Sequence, residues 1–192
     1  EFVYATAGRT VYKIKALDGS VAVQQVMDGK DRFGTIPPTI AGDTIYVALD
    51  GGMVEAFNKD TLAKKWTLGG LSAGGQNSCP VLVSEGRVYT GFYDSETGAQ
   101  NYVCLTTAGK VDGKAGTLTE LRTCLLGMGS TSTPVYYKGY VYVGTGTGPG
   151  PSGGFAIVKE NAQTGDLTLQ RELTMPGSTQ GSPLLSTARE AE

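Results

Sequence analysis

Histidine is absent from the 192-residue sequence. Histidine is the commonest general base in enzymes and the commonest protein ligand for metals, and it activates the nucleophile in Ser-His and Cys-His pairs. Its absence excludes catalytic sites of those kinds. We therefore assign the sequence no catalytic residue and no cofactor-binding residue, and we expect a non-catalytic chain.

Cysteine is scarce. Cys79, Cys104 and Cys124 are the only three, and no two have the Cys-x-x-Cys spacing of a zinc cage or a thioredoxin-type redox centre. Cys104 and Cys124 flank a glycine- and threonine-rich insertion, residues 106–119. A disulfide between them would hold the insertion in an oxidising compartment, whereas the alternative is two neighbouring outer strands with thiols. The sequence favours neither alternative.

Charged residues make up only 18% of the sequence, with a formal net charge of −2 and no cluster of lysine and arginine. Such a chain has no long-range attraction to a polyanion, so we expect no nucleic-acid partner. No hydrophobic run approaches the roughly 20 residues that cross a bilayer, so we expect no membrane span. The start, Glu1-Phe2-Val3-Tyr4, lacks the regions of a signal peptide, so in an exported parent protein that segment would have been removed.

Glycine and tyrosine, in contrast, are plentiful, with 29 and 10 residues. Tyrosine favours strands, and glycine supplies the positive φ angles of tight turns. This composition predicts an all-β fold of many short strands in a single domain, residues 1–192.

A repeat runs through the chain. Residues 37–47, 80–90 and 134–143 each begin with proline and follow a strand, turn, strand pattern, and Ser182-Pro183 begins another copy. The leading prolines are 43, 54 and 49 residues apart, which is the period of four-stranded propeller blades. The turns between the two strands are Gly42-Asp43, Glu85-Gly86 and Lys138-Gly139.

The second half of the repeat adds two strands, most clearly in residues 50–66. Residues 3–23 match residues 46–66 at a constant offset of 43, so the chain enters in mid-blade. With a last strand at residues 182–186, the pattern predicts sixteen strands, and that strand would complete the opening blade. The predicted blades are residues 1–34 with 181–186, 35–77, 78–131 and 132–180.

The repeat resembles the pyrroloquinoline-quinone-type propeller repeat of the quinoprotein alcohol dehydrogenase-like family. The resemblance is carried by Gly52 to Trp66, by Ala16 to Gly19 and by Asn161 to Asp166. It implies a β-propeller of four-stranded antiparallel blades, about four in this chain, within a ring of six to eight. The remaining blades would come from another chain, a second copy or a missing segment. In the family a tryptophan packs between blades, and here Val23, Leu121 or Leu173 would replace it outside the blade that contains Trp66.

Four acidic residues are metal candidates. Asp28 and Asp31 bracket a glycine turn, and Asp94 and Glu96 stand in an acidic hairpin. Carboxylate oxygens suit calcium, but two acids make an incomplete set, and a solvated linker is the alternative interpretation.

The resemblance implies two functions. Quinoprotein dehydrogenases hold pyrroloquinoline quinone beside an adjacent-cysteine disulfide and a Glu, Asn and Asp set around calcium, and this sequence has neither feature. Pyrroloquinoline quinone is therefore not expected, and calcium is the only cofactor retained as a candidate. The other function is that of non-catalytic propellers such as the outer-membrane assembly lipoproteins, which implies a protein or glycan partner and a location in the periplasm or on the bacterial cell surface. A structural part of a surface adhesin is a third alternative.

Overall fold

The computed structural model describes residues 1–28, 36–49, 53–68, 79–84, 86–93, 100–106, 121–126, 132–146, 152–177 and 181–186. These residues form fifteen β-strands and no helix, which confirms the predicted all-β class. Within these ranges there is accordingly no helix long and apolar enough to cross a membrane.

The strands form four antiparallel sheets in which each strand pairs with its neighbours in sequence. The first sheet has three strands, β1 (Phe2–Ala7), β2 (Thr10–Lys15) and β3 (Val21–Val26). The second sheet has four, β4 (Thr39–Ala41), β5 (Thr44–Leu49), β6 (Met53–Asn58) and β7 (Lys64–Leu68). The third sheet comprises β8 (Leu82–Ser84), β9 (Arg87–Tyr93), β10 (Gln100–Thr106) and β11 (Leu121–Leu126). The fourth sheet comprises β12 (Val135–Tyr137), β13 (Tyr140–Thr145), β14 (Ser152–Glu160) and β15 (Leu167–Pro176).

The turns between the first two strands of each four-stranded sheet are those that the sequence predicted. Gly42, Gly86 and Gly139 have φ angles of 60°, 72° and 82°, and Lys138 also has a positive φ, 46°. Two successive positive φ angles, as at Lys138 and Gly139, match the twist of the flanking strands. Glycine therefore fixes these hairpins for a steric reason.

The turn between β6 and β7 has a hydrogen-bond pattern that recurs in other sheets. The Asn58 amide donates to the Ala63 carbonyl at 2.8 Å, and the Leu62 amide donates to the Asn58 carbonyl at 2.9 Å. The same two bonds join Lys15 to Ser20 and Gly19 to Lys15 in the first sheet, and Asn161 to Asp166 and Gly165 to Asn161 in the fourth. The repeated turn confirms the 43-residue offset between β2–β3 and β6–β7.

The predicted offset is wrong in β1. Ala7 opposes Thr10 across a two-residue turn, whereas Leu49 opposes Met53 across three residues. The shorter connection moves β1 by one position, so Tyr4, opposite Lys13, corresponds to Tyr46, opposite Ala56. A one-residue shift exchanges the two faces of a strand, so the correction decides which β1 side chains are buried.

Three hydrophobic clusters fill the spaces between consecutive sheets. The first combines Val11 of β2 and Met27, which follows β3, with β5 and β6 residues such as Ile45 and Phe57. The second joins the second and third sheets, and the third joins the third and fourth sheets. Every residue of β5 is buried, because both faces of its sheet are covered. The sheets therefore stack as the blades of a propeller do, each with a core on either side.

Trp66 lies in the cluster between the second and third sheets. It is only 6% exposed, and its ring centroid is 5.8 Å from that of Tyr46. In the first sheet Val23 packs against the corresponding cluster, as predicted for the absent tryptophan. Leu173 is only half-buried in the fourth sheet, and the side chain of Leu121 lies outside the described residues.

The predicted last strand is not formed. Residues 182–186 have no strand pairing, and β1 pairs only with β2 in the described part of the chain. The Thr133 amide donates to the Ser182 hydroxyl at 3.0 Å, which holds the segment beside the start of the fourth sheet. The opening sheet consequently keeps three strands, and the described sheets do not close a ring.

Candidate functional site: polar contacts between the sheets

The calcium candidates are only partly described. Asp31, Asp94 and Glu96 lie outside the described residues, while Asp28 follows β3 and its carboxylate lies 2.5 Å from the Lys64 ammonium. No group of three or more potential metal ligands occurs among the residues that the structure places. A calcium site at Asp28 remains a prediction, and a calcium ion there would compete with Lys64.

Asp28 belongs to a polar cluster that joins the first two sheets. The Glu55 side chain is fully buried, and its Oε1 accepts a 2.6 Å hydrogen bond from the Asp28 amide. Its Oε2 lies 3.2 Å from Lys64 Nζ. Glu55 faces the first sheet because side chains alternate along β6 and Phe57, two residues on, packs in the same direction. The cluster fixes the end of β3 to the second sheet.

A second polar contact joins the same two sheets. Lys13 is buried, and its ammonium lies 3.1 Å from the Asp60 carbonyl and 4.2 Å from the ring centroid of Phe2. The Tyr4 hydroxyl donates to the Lys59 carbonyl at 3.1 Å. A cation and a tyrosine of the first sheet thus hold the turn between β6 and β7.

The third and fourth sheets are joined in the same way. The buried carboxylate of Glu160, at the end of β14, accepts hydrogen bonds from Arg87 Nη1 and from the Tyr89 hydroxyl. Arg87 Nη2 also donates to the Ala162 carbonyl, in the following turn, at 2.7 Å. Charged hydrogen bonds in a buried setting are among the stronger polar contacts. Again a cation and a tyrosine of one sheet hold the third turn of the next sheet.

Four tyrosines take equivalent positions in the four sheets. Tyr4, Tyr46, Tyr89 and Tyr142 lie on β1, β5, β9 and β13, and the first three pack into the clusters between consecutive sheets. Burial raises the pKa of the Tyr46 hydroxyl. Tyr142 lies on the opposite face from Val141 and Val143, which pack on the third sheet, so it stands on the open face of the fourth sheet.

These contacts were missed at the level of the sequence. Glu55 and Arg87 look like ordinary strand residues, and their partners are 27 and 73 residues away. One signal for these contacts was available in the sequence. Glu55 stands between apolar residues, in a strand that is buried on both faces.

Cys104 and Cys124 lie on neighbouring strands, offset by two positions. Cys104 opposes Arg122, and Cys124 opposes Tyr102. Diagonal neighbours of this kind have Cα atoms about 7–8 Å apart, and disulfides span about 4.4–6.8 Å. The register is thus unfavourable for the disulfide, which remains a prediction. Burial raises the pKa of the Cys124 thiol.

A cavity of about 650 Å³ lies beside Glu160 at the last hairpin of the fourth sheet. It is open and polar, and its lining includes Lys159, Asn161, Asp166 and Thr168. Asn161 and Thr164 are already used in the turn, since the Asn161 carbonyl oxygen Oδ1 accepts from the Gln163 and Thr164 amides. Among the polar side chains that line this cavity, Glu160 therefore holds two sheets together and Asn161 holds a turn.

Comparison with known proteins places these sheets in a family. The family model described as "Outer membrane protein assembly factor BamB" matches residues 1–119, which is more than half of the chain. No curated protein sequence matches.

Solved structures share the fold at low identity. BamB from Moraxella catarrhalis is 15% identical, with a TM-score of 0.54, and the match covers 89% of this chain and 57% of that one. Quinohemoprotein alcohol dehydrogenase from Comamonas testosteroni is 15% identical with a TM-score of 0.65, covering 92% and 34%. A europium-containing methanol dehydrogenase is 11% identical with a TM-score of 0.63, covering 92% and 40%. The chain therefore spans between about a third and three fifths of the length of these structures.

Proposed function

Because the chain belongs to the family of the outer membrane protein assembly factor BamB, we propose that it is a non-catalytic β-propeller scaffold that binds a protein partner. The observation that carries the proposal is the family match over residues 1–119. The inter-sheet contacts support it, since buried charges such as Glu55 and Glu160 are committed to holding sheets together. A rigid stack of this kind presents its loops in fixed positions, as binding scaffolds require.

The proposal includes an exported location, in the periplasm or on the bacterial cell surface. Its support is the family itself, which is named for an assembly factor of outer membrane proteins. We propose that the partner is a protein. The alternative ligand is a glycan, and binding of the chain to an array that carries both proteins and glycans would reveal it.

Photo-cross-linking tests the partner. The chain is exported into the periplasm of a Gram-negative host with a photoreactive amino acid at Leu17 or Gln170, which are exposed on the first and fourth sheets. We expect one defined protein to be cross-linked at one position and to bind the purified chain in a titration. Failure of the cross-linked protein to bind the purified chain in that titration would contradict the proposal.

The second candidate is a segment of a quinoprotein dehydrogenase, favoured by the higher TM-scores of the dehydrogenase structures. At 15% identity and below, this likeness shows the fold alone. We propose that pyrroloquinoline quinone is not a cofactor of this chain. When the quinone, calcium and an alcohol are added to the purified chain, we therefore expect no reduction of a dye. Reduction of the dye that depends on the quinone would favour the second candidate, a segment of a quinoprotein dehydrogenase.

A further inference from the structure

The fourth sheet has a polar residue at a buried position where the second sheet has an apolar one. Tyr46 and Tyr142 are equivalent in β5 and β13, and three residues further along these strands lie Leu49 and Thr145. Leu49 is 2% exposed and packs in the cluster between the first two sheets. Thr145 is 0% exposed. A hydroxyl group therefore takes the buried position of a leucine.

Thr145 faces the third sheet. Val141 and Val143 of the same strand lie in the cluster between the third and fourth sheets, and alternate side chains of a strand point the same way. Leu126, the last residue of β11, lies in that cluster too and is 3% exposed. The Thr145 hydroxyl is thus enclosed between two sheets, where β11 and β13 end.

The Thr145 hydroxyl has no hydrogen-bond partner among the residues that the structure describes. A buried hydroxyl without a partner is unfavourable, because folding removes its hydrogen bonds to water and puts nothing in their place. Buried polar groups of native proteins are accordingly paired with protein groups or with ordered water. We therefore expect a bound group beside Thr145 Oγ1.

The residue opposite Thr145 is small as well. Thr145 opposes Gly154 on β14, whereas Leu49 opposes Met53 on β6, which packs against the first cluster. A threonine and a glycine fill less space between their sheets than a leucine and a methionine. Protein interiors are close-packed, and a polar space inside them holds water. The smaller pair therefore suits a water-sized guest.

A second buried hydroxyl lies beside the same stretch of backbone. Ser132 is 0% exposed, and its Oγ accepts a 3.0 Å hydrogen bond from the amide of Gly144, the residue before Thr145. The Ser132 carbonyl accepts a hydrogen bond from the Cys79 thiol at 3.2 Å. A hydroxyl oxygen has two lone pairs, so Ser132 Oγ can accept from a water molecule in addition to the Gly144 amide. Both hydroxyls are neutral, which suits water rather than an ion.

We propose that Thr145 binds an internal water molecule between the third and fourth sheets, and that this water also bonds Ser132 Oγ. Water is the ligand chosen because the groups that face it are neutral, few and buried, and buried waters make about three hydrogen bonds to such groups. The water takes the part that Leu49 plays between the first two sheets, with hydrogen bonds in place of apolar contact. The inference does not rest on the proposed function.

A crystal structure of the purified chain, at a resolution that shows ordered water, tests the site directly. We expect density for one water at about 2.7–3.2 Å from Thr145 Oγ1, within hydrogen-bonding distance of Ser132 Oγ as well. A protein group bonded to Thr145 Oγ1, a molecule larger than water, or no density beside a well-ordered Thr145 would each overturn the proposal.

Thr145→Val tests whether the hydroxyl is bonded in solution. Valine has nearly the same shape, so the substitution removes the hydroxyl and little else. If a water bonds Thr145, the variant should have a Tm lower by about 2–4 °C, the shift that one hydrogen bond gives in a chain of this length. If the hydroxyl has no partner, its removal relieves an unfavourable burial and raises the Tm. An unchanged or raised Tm would overturn the proposal.

Thr90→Val is the matched control. Thr90 is also 0% exposed, and its hydroxyl donates to the Cys79 carbonyl at 3.0 Å. Valine fits this position, because Val47 and Val143 are the equivalent residues of β5 and β13. The control should lower the Tm by a similar amount through loss of a direct protein hydrogen bond, and circular dichroism checks that both variants fold. A Tm that falls in the control and not in Thr145→Val would show that no water is bound.

Discussion

Leu62 combines a left-handed backbone with complete burial. Its φ is 55°, in a turn where the equivalent residues of other sheets are Gly19 and Gly165, with φ of 71° and 75°. A non-glycine residue there costs about 1–2 kcal/mol in backbone energy. Its side chain is 0% exposed in the cluster between the first two sheets, which explains why leucine is tolerated.

Leu62→Gly should destabilise the chain in spite of relieving the backbone. Loss of a buried leucine side chain costs about 2–5 kcal/mol, which exceeds the 1–2 kcal/mol gained from the backbone. Urea unfolding should show a net loss, and a variant more stable than the parent would contradict this balance. Gly19→Ala is the control: nothing lies within 4 Å of the added Cβ, so its loss of about 1 kcal/mol is conformational alone.

Glu160 is the residue whose charge matters most in the contact between the third and fourth sheets. Glu160→Gln leaves the Arg87 guanidinium, whose side chain is 13% exposed, without its carboxylate, and we expect a loss of about 3 kcal/mol in the free energy of unfolding. Tyr89→Phe removes one hydrogen bond to the same carboxylate and should cost about 1–2 kcal/mol.

The matched control for Glu160→Gln is Asp43→Asn, which removes the exposed ion pair with Lys65. The Lys65 hydrogen bond lowers the pKa of Asp43. The stability that this ion pair contributes is therefore present above the carboxyl's ordinary pKa and is lost as the pH falls through the lowered pKa. At neutral pH an exposed ion pair contributes little to the free energy of unfolding. A control that matched Glu160→Gln in its effect would show that burial is not what makes Glu160 important.

At the scale of the elements, sequence reasoning recovered what local chemistry determines. The hairpins at Gly42, Gly86 and Gly139 follow from residues that accept positive φ angles. The strands follow from runs of strand-forming residues that begin at a proline and are separated by these turns. The register of β1 could not be predicted in this way. Its connection to the next strand is one residue shorter than in the second sheet, and this exchanges the two faces of β1 while its sequence pattern stays the same. The contacts of Glu55 and Glu160 did not follow either, since only the stacking of sheets brings their partners near.

The two strands β10 and β11 provide a test of the cysteine alternatives. Their register favours thiols at Cys104 and Cys124, so the intact mass under non-reducing conditions should correspond to three thiols. A mass lower by two hydrogens, restored by a reductant, would show a disulfide instead. Because burial raises the pKa of the Cys124 thiol, its labelling by iodoacetamide at pH 8 should be slower in the folded chain than in urea.

At the scale of the whole molecule, the four sheets differ in how much of their surface is covered. Among the residues that the structure describes, the second and third sheets have a core on both faces, while the first and fourth have a core on one. In a stack of repeats each unit is stabilised mainly by its neighbours, so the terminal sheets should open at lower free energy than the inner ones.

Hydrogen exchange measures this gradient directly. We expect the slowest exchange in β5 and β6, whose residues are almost all buried, and the fastest among the strands in β3 and β15, where most side chains are exposed. Equal protection across all four sheets would contradict this expectation, because it would mean that the sheets open together rather than in the order set by how much of each is covered.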